Sequence, residues 1–111
     1  MVLRLRATRK GAVMHMYARL VRFAFGAEKL DLAKNLASDL VPKISAQPGC
    51  KGVTCFGDST KGEYGLFVLW NSQEDADSAA SIISPQLQQH LAGNVIRPPE
   101  MGLYQVIESA P

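Results

Sequence analysis

Residues 63–76 read Glu63-Tyr64-Gly65-Leu66-Phe67-Val68-Leu69-Trp70-Asn71-Ser72-Gln73-Glu74-Asp75-Ala76, and two signals meet in them. Glu63–Asn71 is the most apolar stretch of the chain and suits a strand. Tyr64, Leu66, Val68 and Trp70 alternate with Gly65, Phe67 and Leu69. Successive side chains of a strand point to opposite sides, so this strand is apolar on both faces. Ser72, with Asp75 three residues on and Glu74 between, then starts a helix. A serine hydroxyl accepts a bond from an amide of the first turn, and carboxylates favour the positive end of the helix dipole. The helix continues with small residues, Ala76, Ala79 and Ala80, then Ile82 and Ile83. Ser84-Pro85 restarts it, because serine caps well and proline fits the first helical position. Leu87, His90 and Leu91 carry the apolar face on until Gly93 stops it.

Working upstream, Asp58–Gly62 is a hairpin loop that joins Glu63–Asn71 to a short strand, Val53–Phe56. Gln47-Pro48-Gly49 is a turn. Glu28 to about Ala46 is a helix with Leu30, Ala33, Leu36 or Ala37, Leu40, Val41 and Ile44 on one stripe. Pro42 bends it or leaves only a last turn beyond. Met16–Phe25 alternates as a half-buried strand and Gly26 breaks it. Downstream, residues 94–100 connect to a final strand, Gly102–Glu108. The order βαββαβ predicts an α+β, ferredoxin-like fold, a four-stranded antiparallel sheet with two helices on one face. The first strand also has two apolar sides, Ala18, Leu20 and Arg22 against Tyr17, Arg19 and Val21. Helices cover one face only, so the other needs a cover, and a second copy of the chain, a homodimer through the sheet face, supplies it most simply.

The chain has 111 residues, the size of one domain. It holds 12 Lys and Arg against 10 Asp and Glu. Arg4, Arg6, Arg9 and Lys10 lie in the first 13 residues, so the basic excess belongs to a tail and residues 14–111 are slightly acidic. The expected organisation is a flexible basic tail over residues 1–13 and a folded domain over 14–111. The tail reads as a disordered leader or an over-extended start ahead of Met14 or Met16, and four charges attract nucleic acid only weakly. There is no apolar run long enough for a membrane span and no signal-peptide pattern, which predicts a cytoplasmic protein with no membrane partner. Cys50 and Cys55 stand five apart without a second pair, which excludes a zinc knuckle and a Cys-x-x-Cys redox centre. His15 and His90 are the only histidines, too few for a multi-histidine metal site in one chain.

The strand Tyr17–Phe23, the Gln47-Pro48-Gly49-Cys50 turn, the strand end Leu69-Trp70 followed by Asn71–Ala76, and Ser84-Pro85 with Leu87 together resemble the antibiotic-biosynthesis-monooxygenase domain. The resemblance spans about residues 16–108. It implies the dimeric α+β barrel, with chemistry in a cavity between sheet and helices of each subunit. Some members of that family oxidise quinols or aromatic polyketides with dioxygen and neither metal nor flavin, and others degrade haem. The expected activity is a cofactor-independent monooxygenase acting on a small aromatic or quinol substrate, with no cofactor and no metal. A non-catalytic dimeric ligand-binding or structural domain is the alternative. In the cofactor-free chemistry the deprotonated substrate supplies the electrons, and the protein supplies a dry pocket, a proton acceptor and anion stabilisation.

Candidates for those roles follow. Trp70 holds the family's tryptophan position and could stack on a substrate or simply pack. Arg19 enters the cavity to hold an anion if its face looks toward the helices; with the opposite parity Arg22 does so instead. His90 is the one histidine of the folded part and the candidate base, although near a helix C-terminus it also reads as structural. Tyr64 and Tyr104 could donate a phenolic hydrogen bond, with Tyr64 taken as the third catalytic candidate. Tyr17, Val21, Leu66 and Ala79 complete the expected substrate lining, and Cys55 reads as an inert small hydrophobe. Two departures from the family stand out. Active members often carry a histidine in the second helix where this chain has Ser78-Ala79-Ala80-Ser81-Ile82. Haem degraders carry an asparagine in strand one, where Arg19 stands here, and a tryptophan in the second helix, so haem degradation is not expected. RNA-recognition modules share βαββαβ, but their base stacking needs two aromatics on one face. Tyr64 and Phe67, three apart, point to opposite faces.

Overall fold

Strand β1, Tyr17–Ala24, lies inside a four-stranded sheet and everything else is arranged about it. The structure, a computed structural model, describes residues 15–111; the tail expected over residues 1–13 lies outside the described residues. After β1 come helix α1, Leu30–Ser45, strand β2, Cys50–Asp58, strand β3, Glu63–Trp70, helix α2, Gln73–Leu91, and strand β4, Glu100–Gln105. The sheet order is β2-β3-β1-β4, and all three pairings are antiparallel. This is the ferredoxin-like βαββαβ layout that the element order predicts.

The two faces of the sheet separate as the alternation requires. Val21 and Phe23 of β1, with Tyr64, Leu66, Val68 and Trp70 of β3, are buried beneath the helices. Ala33, Leu36, Leu40 and Ile44 of α1 and Ala76, Ala79, Ile83, Leu87 and Leu91 of α2 complete that core. Leu36, Leu40, Leu66 and Leu91 are fully enclosed, and truncating such a leucine to alanine costs about 2–5 kcal/mol. On the opposite face Phe56 (44%), Phe67 (40%) and Tyr104 (58%) are exposed, flanked by half-buried Leu20 and Leu69.

The hairpin tip is seated on the end of β1. The amides of Phe25 and Gly26 both donate to the Gly62 carbonyl, at 2.9 and 3.3 Å. Gly62 has φ +70, and a Cβ there would run into the Gly26 backbone, so the close approach requires glycine. The Asp58 carboxylate accepts from the amides of Thr60 (3.0 Å) and Lys61 (3.2 Å) and closes the loop.

Several boundaries differ from the sequence reading. α2 is one uninterrupted helix, so Ser84-Pro85 does not restart it. Proline inside a helix removes one amide donor and crowds the preceding turn, yet burial of Ile83, Leu87 and Leu91 on both sides of Pro85 holds the helix together. Its start is as read: the Ser72 hydroxyl accepts from the Asp75 amide at 3.1 Å. α1 begins at Leu30 because Glu28 adopts φ 64, a conformation no helix continues through, and Leu30 itself is exposed. β2 extends to Cys50 and Asp58 with an irregularity between Cys50 and Gly52. β4 starts at Glu100, where Arg22 of β1 pairs with it, and ends at Gln105.

Candidate functional site

α2 reaches the sheet with alanines where a helix usually presents larger side chains, and this leaves a gap. Ala76, Ala79 and Ala80 face Arg19 and Val21 of β1 and Leu66, Val68 and Trp70 of β3 across a cavity of about 90 Å³. Ile83, Leu87 and Ile44 close one side, Ser84 contributes a hydroxyl, and Met101 of β4 stands at another wall. Met101 arrives because β4 pairs with β1, opposite Val21. The walls are otherwise apolar.

One polar group breaks that apolar lining and a second lies buried behind it. The Arg19 guanidinium has a side chain only 23% exposed and lies 3.6 Å from the Asp77 carboxylate, which is 60% exposed on the first turns of α2. That spacing is an ion pair but too long for a hydrogen bond, so the guanidinium keeps donors to give. The Trp70 indole N–H is buried with no partner among the described residues. That nitrogen has no surface that water reaches, so it is the ring and not the N–H that forms the cavity wall.

The parity of β1 separates the two arginines. Arg19 shares the helix side with Val21 and lines the cavity, whereas Arg22 points to the opposite face and bonds Glu100 at 2.7 Å. That bond raises the Arg22 pKa above its ordinary value. Of the residues expected at the site, the structure brings together Arg19, Trp70, Val21, Leu66 and Ala79. It does not bring the other three. Tyr17, half-buried at the start of β1, is not among the cavity walls. Tyr64 sits at the hairpin end of the sheet, 6.2 Å from the Phe23 ring and 5.8 Å from the Phe25 ring, with its hydroxyl buried and unpartnered. His90 belongs to the helix–helix contact, where its Nε2 lies 2.8 Å from an Asp39 oxygen; Lys43 holds the other oxygen at 2.7 Å. No histidine lines the cavity.

Asp77, Ser84 and Met101 were missed. Helical spacing alone places Asp77 next to the Ala76–Ala80 face, but only the packing of α2 on β1 reveals that Arg19 is its partner. Cys50 and Cys55 are free thiols, and burial pushes the Cys55 pKa up. Among the described residues no cluster of three His, Cys, Asp or Glu could hold a metal ion, and no helix is long and apolar enough to cross a membrane.

A second, larger cleft of about 390 Å³ opens at the hairpin end of the sheet, where Arg22, Phe56, Glu63, Arg97 and Glu100 share its walls with Phe23 and Tyr64. Its arginines are already neutralised, Arg22 by Glu100 and Arg97 by Glu63 at 2.9 Å. Its walls are more polar than those of the first.

No family model and no curated protein matches the sequence. Solved structures do match the fold. A Nitrosomonas europaea protein provisionally named an antibiotic biosynthesis monooxygenase superimposes with a TM-score of 0.73 at 15% identity, covering 84% of this chain and 91% of that one. SnoaB, a cofactor-independent oxygenase from Streptomyces nogalater, gives 0.70 at 17% identity, covering 87% and 98%. NE2512 from Nitrosomonas europaea, a protein of unknown function, gives 0.71 at 20% identity, covering 88% and 95%. Identities this low speak for architecture and not for chemistry. The resemblance read from the Pro48-Gly49-Cys50 turn and Trp70 therefore has its structural counterpart: the chain carries the fold of the antibiotic biosynthesis monooxygenase proteins.

Proposed function

We propose that the chain is a homodimeric, cofactor-independent monooxygenase that oxidises a small phenol or hydroquinone in the cavity between α2 and the sheet. The observation that carries this reading is the pairing of an apolar cavity with the Arg19 guanidinium, whose N–H groups its ion-pair partner does not saturate. The likeness to SnoaB, itself a cofactor-independent oxygenase, adds to it. One water needs about 10–15 Å³ of such space, so about 90 Å³ suits a single ring with one or two oxygens. In such a reaction the electrons come from the substrate. A hydroquinone and dioxygen give a hydroxyquinone and water: one oxygen atom enters the ring, the other leaves as water, and four electrons pass from ring to oxygen. Arg19 would hold the phenolic oxygen through its free N–H groups as the proton leaves, since donors already fixed in place need no reorganisation as charge develops. The exposed face with Phe56, Phe67 and Tyr104 would meet a second copy, and two free thiols suit a reducing cytoplasm.

One observation favours the alternative of a ligand-binding domain without chemistry: the cavity walls hold no side chain of ordinary basicity, only the Ser84 hydroxyl and the arginine. Oxygen consumption separates the two. With a panel of single-ring hydroquinones and no added metal, uptake above the spontaneous rate that disappears in Arg19→Gln supports the oxygenase. Binding without uptake supports the alternative.

A further inference from the structure

We infer that Asp77 sets the charge selectivity of the cavity, so that it takes neutral single-ring phenols in preference to ring carboxylates of the same shape. The inference rests on the reading of the α2–sheet cavity as a ligand site and adds to it a residue and a discrimination. A lone arginine in an apolar pocket would favour any small aromatic acid, because the carboxylate would find a full positive charge there. Here the charge is already answered. The Asp77 carboxylate stands 3.6 Å from the Arg19 guanidinium, and Arg19 is the only charged residue among the cavity walls. Together they leave that side of the cavity formally neutral.

An incoming carboxylate must shed its water and settle between a cation and that cation's own counter-ion, gaining attraction from one and repulsion from the other. A phenol brings no charge and loses little hydration. The pair is also too long for a hydrogen bond, so the guanidinium N–H groups remain available to a phenol oxygen. Asp77 thus cancels the long-range field of Arg19 without consuming its donors. Its place in the helix makes this possible: Ala76 and Ala80 face the cavity, while Asp77 stays 60% exposed.

The test compares 4-methylphenol with benzoate at neutral pH, using the emission of Trp70, the only tryptophan of the chain and a wall of the cavity. The unaltered protein should bind the phenol more tightly. Asp77→Asn, an exposed and nearly isosteric change, should raise benzoate affinity about fivefold, the upper range for a partly exposed ion pair, and move the phenol less than twofold. Arg19→Gln should weaken benzoate in both backgrounds. If 4-methylphenol binds but Asp77→Asn leaves the preference unchanged, the role of Asp77 is overturned and the cavity reading stands. If neither probe binds any variant, both fall.

Discussion

Trp70 carries two separable contributions, and a single substitution distinguishes them. Its ring fills the core beside Leu66 and Val68, while its indole N–H is a buried donor without an acceptor. Leaving such a donor unpaired costs free energy, and removing it can be neutral or stabilising. Trp70→Phe should therefore change the unfolding midpoint little, with a modest loss of packed volume offset by removal of the unpaired donor, and weaken binding of 4-methylphenol by calorimetry through the smaller ring it presents at the cavity wall. A variant that binds as well as the parent would show the indole to be core alone. Arg19 and Arg22 make the same point about parity. Both are strand-one arginines with apolar neighbours, and adjacency in sequence tells them apart only once the helices are known to cover the Val21 side.

At the scale of the elements, α1 and α2 are joined at their polar edge by Asp39, Lys43, His90 and Gln86. Asp39 bonds His90 at 2.8 Å and Lys43 at 2.7 Å, and Lys43 also donates to Gln86 at 2.8 Å. The hydrogen bond from His90 first, then that from Lys43, holds the Asp39 carboxyl below the usual carboxylate range. A folded-state pKa below the unfolded one means stability that is present above the unfolded value and lost as pH falls through the folded one. The difference in urea midpoint between the unaltered protein and Asp39→Asn should thus shrink as pH falls below about 5. The effect will be small, because the group is exposed and screened. A difference that grows on acidification would contradict this role. The alanine face of α2 offers a second measurement. Ala80→Leu should fill the cavity and abolish 4-methylphenol binding while the helix signal in circular dichroism persists, because Ala80 is only half-buried and its neighbours can give way.

For the whole molecule, the question is what covers the second face of the sheet. Phe56, Phe67 and Tyr104 leave a contiguous apolar surface around Leu20 and Leu69, and a monomer seldom leaves such a surface bare. Sedimentation should give twice the 12.1 kDa chain mass. Phe67→Glu should give a folded monomer, since that side chain contributes nothing to the core beneath the helices. A monomeric parent protein would remove the dimer from the proposed function.

The amino-acid sequence by itself determined the element order, the two-sided sheet, the Ser72 cap and the α2 alanines, because these follow from periods of two and 3.6 residues and from capping chemistry, all local. The family resemblance pointed to Trp70 in the same way, through a motif that a few adjacent residues carry. Only the tertiary structure decided that Arg19 rather than Arg22 lines the cavity, that Asp77 meets it, and that His90 and Tyr64 stand elsewhere. Those outcomes depend on which face of the sheet the helices choose and on β4 lying beside β1. Contacts between residues such as Arg19 and Asp77, or His90 and Asp39, join distant parts of the chain, and no local period encodes them. The uninterrupted α2 has the same cause: proline opposes helix over one turn, and buried side chains on both sides of Pro85 outweigh it.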